Sequence, residues 1–315
     1  MYVKLKKHLC PYFFLFLAAI SVSACSKDAS KKELSNAEKP FIVTTTGMLA
    51  DLAQNIGKDS VNVKALMGPG VDPHLFKATQ GDLATLRQAN IIFYNGLHLE
   101  GKMGEIFEKL ARLKTVIAVA ERIPEERLFE NADYQGNYDP HIWFDVALWS
   151  EGIAVVRDQL IELDSASASY YTQNAEAYLK ELTALDIKVR EQLAQLPESQ
   201  RILITAHDAF NYFGRAYGIE VRGLQGISTL SEFGLRDRVE LVDFIIEKKI
   251  KAIFVETSVS KKNIESIIEG CMQKGHQVRI GGSLYSDAMG EEGSPSGNYI
   301  GMVKANVETI VSSLE

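Results

Sequence analysis

Phe41-Ile42-Val43-Thr44-Thr45-Thr46 is a run of β-branched and aromatic residues, and Met48, Leu49, Leu52, Ala53 and Ile56 follow it at helical spacing up to Gly57. A strand that turns directly into an amphipathic helix is the opening of a βαβ unit. The pattern then repeats. Val61 to Met67 alternates and breaks at Gly68-Pro69-Gly70, Thr79 can cap a helix over Gln80 to Ala89, and Ile91-Ile92-Phe93-Tyr94 reads as a buried strand. Met103 to Leu113 has helical spacing and Thr115 to Ala120 strand character. This β-α-β-α order predicts an α/β fold with a largely parallel sheet covered on both faces.

Glu121 to Asp139 is a polar, acidic loop, and Phe144 to Leu163 is helical. Ser167 to Leu196 contains neither Gly nor Pro and carries Tyr170, Tyr171, Ala175, Tyr178, Leu182, Leu185, Val189 and Leu193 near a helical period. A helix of that length spans about 45 Å, and its simplest role is a rigid strut. After Pro197 the rhythm restarts, with strands at Arg201 to Ala206, Ile219 to Leu224, Ala252 to Glu256 and Gln277 to Gly281. Helices are expected between them, at Asp208 to Tyr217, Leu235 to Lys248 and Lys261 to Lys274, and a last one over Tyr299 to Leu314. The expected architecture is two doubly wound lobes with mainly parallel sheets, 41–164 and 198–315, joined by one long rigid helix over 165–197.

The 315 residues are 46% hydrophobic and 24% charged, an ordinary globular composition with room for two lobes. Lys4, Lys6 and Lys7 precede the apolar stretch Leu9 to Val22, which is short for a membrane span and reads as an export signal. Val22-Ser23-Ala24-Cys25 resembles a bacterial lipobox, so 1–25 reads as a lipoprotein signal peptide with Cys25 as the lipidation site. A plain signal peptide with an incidental cysteine, or an uncleaved anchor, is the alternative. Residues 26–40 are a polar tether without apolar periodicity. Losing the first 25 residues removes three lysines and no acid, which takes the net charge from −7 to −10. Such a balance argues against a nucleic-acid partner, whose phosphates need concentrated positive charge. Cys10 lies in the signal and Cys25 in the lipobox, so Cys271 has no partner for a disulfide within one chain and reads as a small apolar helix residue.

Asp72-Pro73-His74 recurs as Asp139-Pro140-His141, each at an apolar-to-loop transition, and His207 follows the strand-like Ile202 to Ala206. Half of the six histidines therefore sit where parallel sheets place binding residues. Asp287, in the loop after Gly281-Gly282, occupies the same kind of position. His74, His141, His207 and Asp287 are the expected ligands of one divalent ion, since imidazole suits zinc, copper, iron and nickel. His98 also follows a strand and is a candidate fifth ligand, with a role in supporting a ligand or a helix entry as the alternative. Glu232 and Glu256 are candidates to accept the free N–H of a ligand histidine. Trp143, Phe210 and Tyr285 adjoin ligands and are expected to shield the ion. Gly281-Gly282 and the Gly290 to Gly297 segment read as tight turns, because no Gly-Lys-Ser/Thr phosphate motif follows.

Val71-Asp72-Pro73-His74, Asp139-Pro140-His141-Ile142-Trp143, Thr205-Ala206-His207-Asp208-Ala209-Phe210 and Ser283-Leu284-Tyr285-Ser286-Asp287 together resemble the four ligand motifs of the zinc/manganese solute-binding receptors of ABC importers. The resemblance runs from about Phe41 to the C-terminus. It implies two α/β lobes bridged by a rigid helix, one Zn2+ or Mn2+ held between them, and a monomer that docks on a membrane permease driven by an ATPase. The lipid anchor would hold it at the cell envelope, in the periplasm or on the outer face of the cytoplasmic membrane. Three imidazoles and one carboxylate favour zinc by ligand preference. Manganese-devoted members often carry Glu at the position of His207, and zinc-devoted members often have a His-rich loop, which Glu121 to Asp139 lacks. The motifs fall between those two patterns.

Three rival functions remain on the residues alone. A metal-dependent hydrolase would need an open coordination position and a nearby base. An adhesion lipoprotein is neither supported nor excluded. A siderophore or cobalamin receptor of similar architecture would need a roomy cleft instead of four converging ligands. No catalytic residue is expected.

Overall fold

The computed structural model describes residues 39–130, 136–231 and 234–315. Strands β1 (Phe41–Thr44), β2 (Asn62–Ala65), β3 (Ile91–Tyr94) and β4 (Thr115–Ala118) form a parallel sheet in the order β2-β1-β3-β4. Helices α1 (Gly47–Gly57), α2 (Gln80–Gln88) and α3 (Gly104–Ala111) make its crossovers. The inner strands β1 and β3 bury Ile42, Val43, Ile91, Ile92 and Phe93 on both faces, as the unbroken apolar runs predict. Because the order reverses between β1 and β3, their C-terminal ends flank a crevice, where doubly wound sheets bind ligands.

The second half repeats the device. Strand β5 (Ile202–His207) pairs in parallel with β6 (Glu220–Gln225), β7 (Ala252–Glu256) pairs in parallel with β8 (Arg279–Leu284), and β5 runs alongside β7. The reversal now falls between β5 and β7, whose last residues are His207 and Glu256. Helices α7 (Asn211–Tyr217), α8 (Leu235–Glu247), α9 (Lys262–Gln273) and α10 (Tyr299–Leu314) complete this half.

Between the halves lie α4 (Val146–Trp149), α5 (Gly152–Leu163) and α6 (Ala168–Leu193). The expected single helix from Phe144 to Leu163 is broken. Asp145 caps α4 by accepting the Leu148 N–H at 3.0 Å, and α5 starts afresh at Gly152. A Cβ at Gly152 would meet Val119 and Leu52 at 3.1 and 3.2 Å, so the restart brings backbone close against the first half.

The long helix has 26 residues, about 39 Å at 1.5 Å each, shorter than expected because the chain tightens after Leu193. Tyr171, Ala175, Tyr178, Leu182, Leu185, Val189 and Leu193 are buried, whereas Tyr170 is exposed. That stripe lies against α1 of the first half, against α5, and against α10 and α7 of the second half, and one apolar cluster runs through all of them. The helix is packed along its length rather than free-standing. Tyr178 donates to Asp51 of α1 at 2.8 Å, and Asp186 accepts from Tyr217 of α7 at 2.9 Å.

One strand is displaced from its sequence reading. β8 continues through Gly281 and Gly282 to Leu284, where a pair of glycines suggested a turn. These glycines are gaps in packing: a Cβ at Gly281 would lie 2.8 Å from the Phe254 ring and one at Gly282 would lie 2.4 Å from the Thr309 methyl. Their absence of side chain lets α10 and β7 close on the strand that leads to Asp287.

Candidate metal centre

The two Asp-Pro-His copies do the same local work. In each, the aspartate Oδ1 accepts the backbone N–H of the histidine two residues on, at 2.8 Å for Asp72 and His74 and 2.9 Å for Asp139 and His141. Proline fixes φ and offers no N–H, so the turn closes through the side chain and presents the imidazole. The copies then diverge. Asp139 Oδ1 also holds His141 Nδ1 at 2.7 Å, whereas Asp72 Oδ2 accepts from the Thr229 hydroxyl of the second half at 2.6 Å.

His207 ends β5 and Glu256 ends β7, so the switch point brings them together. Glu256 accepts the His207 backbone N–H at 2.9 Å and pairs with its Nδ1 at 2.5 Å. Asp287 follows β8, in a loop fastened from both sides: the Trp143 indole N–H donates to Ser286 O at 2.9 Å, and Ser286 Oγ lies 2.9 Å from Ser258 Oγ.

With Nδ1 of His141 and His207 committed to carboxylates, the Nε2 atoms face one point. His74 Nε2 lies 3.3 Å from His141 Nε2, His141 Nε2 lies 3.4 Å from one Asp287 oxygen, and His207 Nε2 lies 3.3 Å from the other. All four donor groups fall within 4.8 Å of one another. Tetrahedral zinc with bonds of about 2.05 Å places neighbouring donors about 3.3 Å apart, which these separations match. The four residues are 0–2% exposed. The Asp287 approaches lack hydrogen-bond geometry, so His207 Nε2 and both Asp287 oxygens have no hydrogen-bond partner among the described residues. Buried donors in that condition are costly unless a cation completes them.

The electrostatics are those of a site built around positive charge. Burial disfavours the charged form of His141, but Asp139 and Asp287 override it and hold its pKa up at about 9. His207 is likewise opposed by burial and pushed well above its ordinary value by Glu256 and Asp287. Burial would raise Asp287, yet His207 and His141 hold it well below the usual carboxylate range. His74 has no carboxylate behind it, and burial lowers it to about 3. Metal binding requires neutral imidazoles, so an incoming cation takes the place of protons on His141 and His207.

The structure thus brings together His74, His141, His207 and Asp287, with Glu256 behind His207 and Trp143 edge-on to His141 at 5.2 Å between ring centroids. Tyr285 acts at one remove, because its hydrogen bonds run to Asn306 and Ser296 and fix the Asp287 loop on α10. Phe210 is buried and stacks on Phe144. His98 is exposed, at φ +62° in the turn between Asn95 and Glu100, and is outside the quartet. Glu232 and Cys25 lie outside the described residues. Four supporting residues were missed. Asp139 was legible as a carboxylate two positions before its histidine; Thr229 had no local signal. Glu100, buried, accepts from Thr45 Oγ1 at 2.6 Å and from Asn95 N at 2.8 Å, while the Asn95 amide donates to Pro140 O at 3.0 Å, backing the His141 turn.

Residues 42–313 match the family model described as "Zinc-uptake complex component A periplasmic". The chain belongs to that family. Among relatives, the manganese-binding lipoprotein MntA of Bacillus subtilis is 46% identical over 96% of this chain and 97% of its own. The zinc-binding protein TroA of Treponema pallidum is 50% identical over 88% of this chain and 89% of its own. The solved structure of the Treponema pallidum protein superposes with a TM-score of 0.86, covering 88% of this chain and 99% of that one. Family membership and fold therefore agree with the α/β architecture described above, while these two relatives are named for different metals.

Proposed function

We propose that this chain is an extracytoplasmic receptor that captures one Zn2+ or Mn2+ ion through His74, His141, His207 and Asp287 and delivers it to the permease of an ABC importer with its ATPase. The observation that carries the reading is the buried quartet, whose donor spacing suits one ion and whose Asp287 oxygens have no hydrogen-bond partner among the described residues. Four protein donors close a tetrahedral shell, which favours storage and transfer over hydrolysis, since a catalytic zinc keeps a position open. Residues 41–164 and 198–315 are read as the two lobes that supply two ligands each, with 165–197 bridging them. The metal is cargo, so the chain is read as a binding protein and not an enzyme, acting as a monomer without nucleic acid.

The test is competitive titration of the metal-stripped protein with zinc and manganese, with stoichiometry read by elemental analysis. One tight equivalent is expected, and zinc is expected to bind more tightly by ligand preference. No tight binding of either ion would sink the four-donor site. Cys25 is read as the lipid-bearing residue that holds the protein at the envelope, as the relatives named lipoproteins suggest. Cys25→Ala is expected to move the protein from the membrane to the soluble fraction; retention would mean an uncleaved anchor.

A further inference from the structure

A cavity of about 460 Å3 opens beside the quartet, and Asp287 forms part of its wall. One side is built from the start of α1 and the segment after β2, the other from the loop that runs on from Asp287 to Gly297. Met289 crosses between them, its Sδ-methyl 3.1 Å from where a Cβ on Gly47 would stand. Of the four donor residues Asp287 is the one in the cavity wall, and its side chain, like those of His141 and His207, is itself fully buried. Asp51 and Glu292 line the same space against a single cation, Lys64, so the wall is acidic overall. Such a wall concentrates cations. A divalent ion with six waters, at roughly 30 Å3 each, needs about 180 Å3, so the space admits a hydrated ion.

We propose that this cavity is the path by which the metal ion enters and leaves, with Asp287 the first of the four donors it meets. The inference rests on the metal-receptor reading and adds a route to it. A route has a distinctive kinetic signature. Obstruction raises the barrier equally in both directions, so association and dissociation slow by the same factor and Kd does not move.

Ala50 on α1 and Gly68 after β2 both line the cavity, and a Cβ on Gly68 meets nothing within 4 Å. Ala50→Cys and Gly68→Cys each supply a thiol for a bulky disulfide-forming label. Cys271 is fully buried and is spared, and label-treated protein without either substitution is the control. Trp143, beside His141, makes tryptophan fluorescence the stopped-flow reporter. Each label is expected to slow zinc association and chelator-driven dissociation together by about tenfold, with Kd unchanged and both rates restored by reductant. Unchanged rates with either label, or a change in one rate that shifts Kd, would overturn the route. Failure of the unlabelled protein to bind zinc at all would instead overturn the receptor reading.

Discussion

Glu256 uses both oxygens on one histidine, taking the His207 backbone N–H and its Nδ1. A carboxamide would offer one acceptor and turn an NH2 group toward a donor. Glu256→Gln is therefore expected to weaken metal binding about 10- to 100-fold, the usual cost of losing a partner behind a ligand, at unchanged stoichiometry. Competition against a chromophoric chelator measures it, and equal affinity would exclude Glu256 from tuning the site. His207→Ala is a poorer probe. It strands a buried carboxylate whose uncompensated charge costs several kcal/mol, so lost binding would be mixed with lost stability. The other buried imidazole–carboxylate pair, His141 with Asp139, is built within one tripeptide and was open to a local reading. The partnership of His207 with Glu256 spans 49 positions. Glu256 could be read as a carboxylate at a strand end, but which histidine it would meet depended on strand order.

The loop carrying His74 and the loop carrying Thr229 are joined by one short hydrogen bond, Thr229 Oγ1 to Asp72 Oδ2 at 2.6 Å. Asp72 is meanwhile holding the His74 backbone, so this contact ties a ligand turn of the first half to the second half. Thr229→Val keeps the shape and removes the donor. Since a hydrogen bond to a charged group contributes about 1.5–3 kcal/mol, metal dissociation is expected to quicken about tenfold with association little changed, measured by transfer to a chelator. A dissociation rate within twofold of the parent would mean that the two loops are held by other contacts. Elements themselves followed the sequence where apolar periodicity was strong, as in β1, β5, β7, α6 and α10. They departed where side chains bind locally or are missing: Asp145 capping broke the helix after Phe144, and the glycine pair ran on as strand because Phe254 and Thr309 fill the space beside it.

The donors come from positions 74, 141, 207 and 287, so an ion that binds them fastens distant parts of one chain that share a continuous core along α6. An ion that binds only the folded chain stabilises it by about 2.7 kcal/mol at a hundredfold excess over Kd, worth roughly 4–5 °C in Tm for a chain of this size. Calorimetry with zinc and then with excess chelator checks this, and a Tm indifferent to both would contradict ligation across the fold. Residue order and spacing were enough to give the α/β class and the long helix, because apolar periodicity is a local property of the chain, and the two Asp-Pro-His turns pointed to a metal, while the full set of four candidate donors also drew on the resemblance of their motifs to a known family. Folding in three dimensions supplied the rest: the strand orders that set His207 beside Glu256, the clasp between Asp72 and Thr229, the support of Glu100 and Asn95 behind Pro140, and the cavity at Asp287. These depend on which strands become neighbours, and pairing between positions 45 to 157 residues apart leaves no periodic trace in the residues themselves.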